Sequence, residues 1–205
     1  MPAPAIASFS IRKGLERSEP AGAWRLAAFR GRLTELSGRG AHATLALVFR
    51  LILEAQQRAE PVAWIRRVDS VFYPPDVAEA GVDLDALPVV SVPETKLAAR
   101  AADHLLRSGG FGVVLLDVGR AGRIPTAHQA RLTGLAKKHD AALLCLTEKD
   151  DRHPSLGSLV SLRATAKRGE RSGDRFRCEV QVLKDKRHGP GWSYSEVFHG
   201  PDGLR

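Results

Sequence analysis

From residue 31 to residue 146 the chain alternates short apolar runs with longer stretches whose apolar residues recur every third or fourth position. The runs Arg32–Leu36, Val62–Ile65, Val89–Val92, Val113–Asp117 and Ala142–Leu146 read as strands. Helices are predicted between them. Ala43–Arg58 carries Leu45, Phe49, Ile52 and Leu53 at helical spacing, and a short helix opens at Pro75 and stops at Gly81. Glu94–Arg107 ends at Ser108-Gly109-Gly110, and Pro125–His139 forms the last helix. Wholly apolar strands, each followed by a helix, predict a parallel sheet covered on both faces. The last third changes character: Leu159–Ala166, Arg175–Leu183 and Ser193–His199 alternate apolar and polar residues. The turn-forming stretches Gly169–Gly173 and His188–Gly191 separate them. The expected fold class is therefore α/β, a mostly parallel sheet flanked by helices with a C-terminal antiparallel meander that leaves one face to solvent.

Composition narrows the class without naming a function. With 205 residues, 43% of them hydrophobic, the chain can bury one substantial core. Residues 1–23 hold Pro, Gly and Ser with little apolar periodicity and are expected to be a flexible N-terminal arm, leaving 24–205 as one domain. No apolar run approaches the ~20 residues that span a bilayer, and Met1–Ser10 lacks the order of a signal peptide. No membrane partner and a cytoplasmic location are expected. The net charge of +8 suits a polyanion or an acidic protein surface and does not choose between them. Cys145 and Cys178 each sit in an apolar strand-like run and read as buried free thiols. The seven histidines show no metal-ligand spacing, so no metal site is expected.

One junction carries a chemical expectation. The strand Gly31-Arg-Leu-Thr-Glu-Leu36 runs into Ser37-Gly-Arg-Gly-Ala-His-Ala-Thr44 and then a helix, the context in which backbone N–H groups and a helix dipole cradle phosphate. An active loop ends in Gly-Lys-Ser/Thr. Here the loop is about two residues short of that pattern, and His42 and Ala43 stand where the lysine and the metal-binding hydroxyl belong. Neutral histidine lacks the lysine's fixed charge, and alanine cannot ligate Mg²⁺. Arg39 could contact phosphate from a different geometry. A plain strand–turn–helix corner is the favoured reading, with no cofactor.

Several segments, in order, resemble the RecA recombinase core over roughly residues 31–204. They are Gly31–Gly38, Gly81-Val-Asp-Leu-Asp-Ala-Leu87 with Val89–Ser91, the helix Glu94–Gly109, the strand Val113–Asp117 and Val182-Leu-Lys-Asp-Lys186. The resemblance implies that Asp117 ends the Walker B strand, where it would hold Mg²⁺ through water in an active relative; without the loop residues a plain strand-end carboxylate is favoured. It implies that Lys184 and Lys186 lie on a strand whose lysines reach the ATP of a neighbouring protomer. The water-activating carboxylate falls at Asp69 when aligned back from Gly81, or at Arg67 or Val68 when aligned from the preceding strand. Gly38, Arg39, Gly40, His42, Thr44, Asp69 and Asp117 are thus the expected vestigial nucleotide pocket, with no catalytic residue. The connections 118–124 and 147–157 are short where RecA has its two mobile DNA-contacting loops, and Thr147–Asp151 adds negative charge there.

A short RecA-like chain with a degenerate loop, together with Val71-Phe-Tyr-Pro-Pro-Asp-Val-Ala-Glu-Ala-Gly81, resembles the ImuA group of SOS mutagenesis proteins. That resemblance implies a non-catalytic adaptor in translesion mutagenesis and DNA repair, located at the nucleoid. Its implied partners are RecA and an ImuB-type Y-family polymerase homologue. The alternatives are a DNA-stimulated ATPase of the recombinase-paralogue kind and a SulA-like division inhibitor. Arg168, Arg171, Arg175, Lys184, Lys186 and Arg187 are candidates for weak DNA contact or contacts across a protomer interface, against a solvated surface as the alternative. Trp24 and Phe29 either present a partner-binding element or pack on the domain's own sheet.

Overall fold

A computed structural model describes residues 24–38, 44–70, 72–120, 122–173 and 175–199. The expected arm at 1–23 and the loop residues Arg39, Gly40 and His42 lie outside the described residues. After a 3₁₀ turn at Leu26–Phe29 the elements run β1 (Arg32–Ser37), α1 (Thr44–Gln57), β2 (Val62–Arg67), α2 (Pro74–Glu79), β3 (Val89–Val92), α3 (Thr95–Ser108) and β4 (Val113–Gly119). They continue with α4 (Thr126–Lys138), β5 (Ala142–Thr147), β6 (Leu162–Ser172), β7 (Arg175–Asp185) and β8 (Ser193–His199). One eight-stranded sheet takes the order β3-β2-β4-β5-β1-β6-β7-β8. The architecture is the α/β one that the pattern predicts.

Strand β6 joins the two halves of this sheet. It pairs parallel with β1, Thr34 opposite Leu162, and antiparallel with β7. The predicted antiparallel meander is β6-β7-β8, and its first strand also belongs to the parallel register. The expected turn at Gly169–Gly173 is narrower in fact. Strand β6 continues through Gly169 with a bulge between Arg168 and Arg171, and the chain reverses at Gly173, whose φ of 60° suits glycine. On β7 the alternation is clean: Phe176, Cys178, Val180 and Val182 are buried, and the residues between them face solvent.

Each face of the sheet has its own core. Helix α1 covers one, where Leu36, Trp64, Leu115 and Leu144 meet Leu47, Val48, Leu51 and Ile52. Helices α3 and α4 cover the other, packing Ala98, Ala102, Leu106, Leu132 and Ala136 on Leu33, Ile65, Val114, Leu116 and Leu143. Helix α1 is rotated relative to the predicted stripe. Phe49 and Ile52 are buried as expected, but Leu45 is exposed and Leu53 only partly buried. Helix α3 ends at Gly109 in the left-handed conformation (φ 69°), which satisfies a terminal carbonyl through the Gly109 N–H to Leu106 O bond.

Trp24 and Phe29 are fully buried, edge to face with centroids 4.7 Å apart, in the α1-side core. They cannot anchor a partner, because no surface of either ring is free. Of the two readings the sequence allowed, packing on the domain's own sheet is the one observed. Cys145 and Cys178 are free and buried. Burial raises both thiols, Cys178 to about 12. Among the described residues no helix is long and apolar enough to cross a membrane.

Candidate functional site

Parallel strands leave their carboxyl ends along one rim of the sheet, and the loops there build ligand sites in open α/β folds. A cleft of about 580 Å³ lies on that rim. Gly38 enters it from the end of β1, Thr44 and Leu45 from the start of α1, and Arg67, Asp69 and Ser70 from the end of β2. Asp117, Gly119 and Arg120 come from β4, and Leu146, Thr147 and Glu148 from β5. The fold thus brings together all four described members of the expected pocket: Gly38, Thr44, Asp69 and Asp117.

The two carboxylates sit in different surroundings. Asp69 is 61% exposed and is bound by the Arg67 guanidinium, Nε to Oδ1 at 2.8 Å with a second contact from Nη2 to Oδ2. Arg67 holds the Asp69 carboxyl below the usual carboxylate range. Asp117 is partly buried, and that burial pushes its carboxyl up. The Ser70 hydroxyl and the Gly119 N–H, at 3.1 Å, act in the opposite direction. Gly119 has φ 66°, the left-handed turn that lets its amide fold back onto Asp117. Across the cleft Arg120 pairs with Glu148 at 2.8 Å.

This arrangement bears on chemistry in two ways. A base that activates water must be free to take a proton, and a carboxylate held ionised by a bidentate arginine is a weak base already engaged. The described walls also set Arg67 and Arg120 against Asp69, Asp117 and Glu148, so cations do not predominate where phosphates would lie. Among the described residues no three His, Cys, Asp or Glu side chains converge as a metal site. The pairing of Arg67 with Asp69 was not read from the sequence, although opposite charges two residues apart are a signal that could have found it. Ser70 and Arg120 carried no signal, and Thr147 and Glu148 were noted only within the acidic stretch Thr147–Asp151.

The basic residues of the C-terminal third divide into two groups rather than one face. Arg168, Arg171 and Arg175 sit toward the β6–β7 hairpin, and Lys184, Lys186 and Arg187 at the far end of β7, about 20–30 Å away at the ~3.3 Å rise of a strand. The six candidates for DNA or trans-interface contact thus form two separate patches. In the first, Arg168 lies over the Phe176 ring, 4.2 Å from its centroid. In the second, Lys184 and Lys186 donate to the Ser158 carbonyl at 3.3 and 2.7 Å, and Arg187 to the Arg30 carbonyl at 2.7 Å. The acidic stretch after β5 is likewise paired rather than bare. Glu148 binds Arg120, Asp150 binds His153 and Asp151 faces Lys167.

Behind the cleft lies a feature the sequence did not announce. Glu35, on the α3–α4 face of β1, is fully buried and paired with Lys149 Nζ at 2.5 Å. It also accepts from Thr147 Oγ1 (3.2 Å), Ser155 Oγ (2.8 Å) and the Leu156 N–H (2.9 Å). Arg163 adds bonds to the carbonyls of Asp150 and His153. The connection from β5 to β6 is therefore tied down along its length.

Comparison with known proteins agrees with the geometry. No known family profile matches the chain. Protein RecA of Rickettsia massiliae (strain Mtu5) is 31% identical over 119 residues, covering 52% of this chain and 34% of the relative. Protein RecA of Rickettsia bellii (strain OSU 85-389) gives the same figures. Protein RecA of Rickettsia canadensis (strain McKiel) is 30% identical over 130 residues, 58% and 37% of the two chains. The chain spans about a third of the length of these curated relatives. The mostly parallel sheet, the cleft at its carboxyl rim and this similarity over half the chain together make it a RecA-like α/β protein.

Proposed function

We propose that this chain is a non-catalytic RecA-like adaptor of SOS-induced translesion mutagenesis and DNA repair, cytoplasmic and nucleoid-associated, that binds RecA and an ImuB-type Y-family polymerase homologue. What supports the non-catalytic part is that neither alignment offers a free base: Asp69, the candidate when aligned back from Gly81, is occupied by Arg67 in the resting fold, and the other alignment puts Arg67 or Val68 at that position. The loop sequence supports it independently, since His42 and Ala43 replace the lysine and the hydroxyl that phosphate and Mg²⁺ require. The adaptor part follows from the resemblance to the ImuA group, and any DNA contact is weak and salt-sensitive.

Calorimetry with ATP and Mg²⁺ at high protein concentration tests the first part, and no binding heat is expected. Recovery of the tagged chain from cells after DNA damage tests the second. RecA together with a Y-family-like polymerase is the expected company, and division proteins in their place would support a SulA-like inhibitor. One observation favours a second reading, a residual DNA-stimulated ATPase: Asp117 sits at the strand end inside the cleft with Ser70 and Gly119 around it. That reading requires ATP binding that Asp117→Ala abolishes.

A further inference from the structure

Charge on the helices is sorted by face. Helix α3 carries Lys96, Arg100 and Arg107, and α4 carries Arg131, Lys137 and Lys138, all six exposed, against the single carboxylate of Asp103. That is a surplus of five positive charges in helices of 14 and 13 residues, where the whole chain of 205 has a net charge of +8. On the opposite face α1 and α2 together hold one arginine against three carboxylates, with Val77 of α2 seated in the α1-side core. A surface charged only for solubility mixes both signs. A face that collects one sign attracts a partner of the other.

The cations are also aligned. Lys96, Arg100, Asp103 and Arg107 follow the four-, three- and four-residue spacing of one stripe along α3, and Arg131 and Lys138 lie two turns apart along α4. Asp103, whose side chain is 15% exposed, accepts from Arg107 Nη2 at 2.9 Å and from Arg131 at 2.5 Å (Nε) and 3.2 Å (Nη2). It orients both guanidiniums without covering them, since they stay 54% and 57% exposed with N–H donors to spare. Both helices return the chain between parallel neighbours of one sheet, so they run in the same direction. With Asp103 and Arg131 level, Lys96 lies about 10 Å to one side and Lys138 about 10 Å to the other, at ~1.5 Å per residue. One strand of a duplex places a phosphate every ~3.4 Å along its axis, so the ~20 Å of this face spans about six phosphates.

We infer that the α3–α4 face binds the phosphate backbone of duplex DNA, with Lys96, Arg100, Arg107, Arg131 and Lys138 as the contacting cations. An acidic protein surface is the weaker match. Protein interfaces gather apolar and aromatic side chains at their centre, and none of the exposed large apolar side chains among the described residues lies on α3 or α4. Nucleic-acid interfaces are polar and strongly positive, as this face is. A single strand is a weaker match too, because neither helix has a Phe, Tyr or Trp on which unpaired bases would stack. Duplex RNA is distinguished through its 2′-hydroxyls, and Asp103, the one carboxylate on these helices, is already engaged. Contacts of this kind read backbone rather than bases, so the binding is independent of sequence. The site is separate from the basic patches of β6 and β7, and it does not depend on whether the rim cleft takes a nucleotide.

Fluorescence anisotropy of the full chain with a labelled DNA duplex of about 20 base pairs, at salt concentrations from about 50 to 200 mM, tests this. The expected result is binding that weakens with a log–log salt slope of about −4, each neutralised phosphate contributing ~0.9. Arg100→Ala and Lys138→Ala should each weaken binding several-fold and bring the slope nearer zero by about 1. Both side chains are exposed, and Arg100 makes no ion pair among the described residues, so neither change disturbs the fold. Arg58→Ala, paired with Glu54 of α1 on the opposite face, should leave the slope unchanged. Absence of duplex binding at the lowest salt would overturn the inference, as would an unaltered slope in both α3–α4 variants. Losses found instead in Arg175→Ala or Lys186→Ala would overturn it by moving the contact to the meander. Tighter binding of an oligothymidylate would overturn the choice of a duplex. Tighter binding of polyglutamate, abolished by the same two variants, would overturn it in favour of an acidic protein.

Discussion

Substituting Asp185 by Asn probes a charge buried between β7 and β1. Asp185 sits at the end of β7 with no exposed side-chain surface, facing Arg32 of β1, which is 1% exposed. Its Oδ1 accepts from Arg32 Nη2 at 2.5 Å and from the Arg187 N–H at 2.9 Å, and its Oδ2 from His188 Nδ1 at 3.1 Å and Trp192 Nε1 at 3.2 Å. Arg32 is satisfied elsewhere by Ser161 Oγ at 2.6 Å, Ser161 O at 2.9 Å and Ala28 O at 3.1 Å. Asparagine keeps the shape but removes the charge and turns an NH₂ toward groups that are all donors. Breaking a buried, hydrogen-bonded ion pair from one side costs about 3–5 kcal/mol. At about 2–4 °C per kcal/mol for a chain of this size, the melting temperature should fall by roughly 6–20 °C. Thermal unfolding followed by circular dichroism and by tryptophan fluorescence reads this directly. The donors and the ion pair hold the Asp185 carboxyl below the usual carboxylate range in the folded state. A depressed folded value stabilises above the unfolded value near ~3.9 and is lost as pH falls through the folded one. The gap between wild type and Asp185→Asn should therefore be level from about pH 7 to 5 and narrow only below about pH 4. The joint replacement Arg32→Met with Asp185→Leu should recover much of the loss, because no charge is then left unpaired. A loss under about 1 kcal/mol in Asp185→Asn, or a gap that closes already at about pH 6, would refute the reasoning.

Three further outcomes follow from the same core. Glu35→Gln leaves the Lys149 ammonium without its carboxylate, with only the Pro154 carbonyl to accept from it, and should cost about 3 kcal/mol in urea unfolding, with faster tryptic cleavage at Lys149 and Arg152; unchanged cleavage would mean the ion pair does not hold that connection. Trp24→Ala removes a fully buried indole and should destabilise by about 3–5 kcal/mol, whereas a residue merely waiting for a partner would show almost no change. Cys145 and Cys178, with their thiols raised by burial, should resist a disulfide reagent at about pH 8 until urea unfolds the chain, and rapid labelling of the folded protein would contradict their placement.

The strands were legible because burial on both faces leaves continuous apolar runs, and β4 and β5 could hardly be read otherwise. The left-handed Gly109 that ends α3 was equally plain. Helix α1 shows where such reading fails. It is apolar nearly all round, so periodicity alone cannot choose the stripe, and packing on the sheet selects Leu47, Val48 and Leu51 over Leu45 and Leu53. The cleft's carboxylates were found through strand ends, but their states were not, since Arg67 and Ser70 act through space. The buried pairs were out of reach for a plainer reason: Arg32 and Asp185 are 153 residues apart in the chain. The direction of β7 hid the division of the basic residues, because neighbours in composition end up at opposite ends of one long strand.

The tie between Glu35 and the connection that follows β5 has a meaning beyond stability. A binding event can be reported at a distance only by a segment that has a second arrangement to move into, and a ligand shifts nothing where one arrangement alone is available. Glu35 grips that connection at Lys149, Ser155 and Leu156, Arg163 grips it at two carbonyls, and Lys184 and Lys186 secure Ser158. Such a segment is a brace. A ligand in the rim cleft could be signalled along this route only by breaking those bonds together.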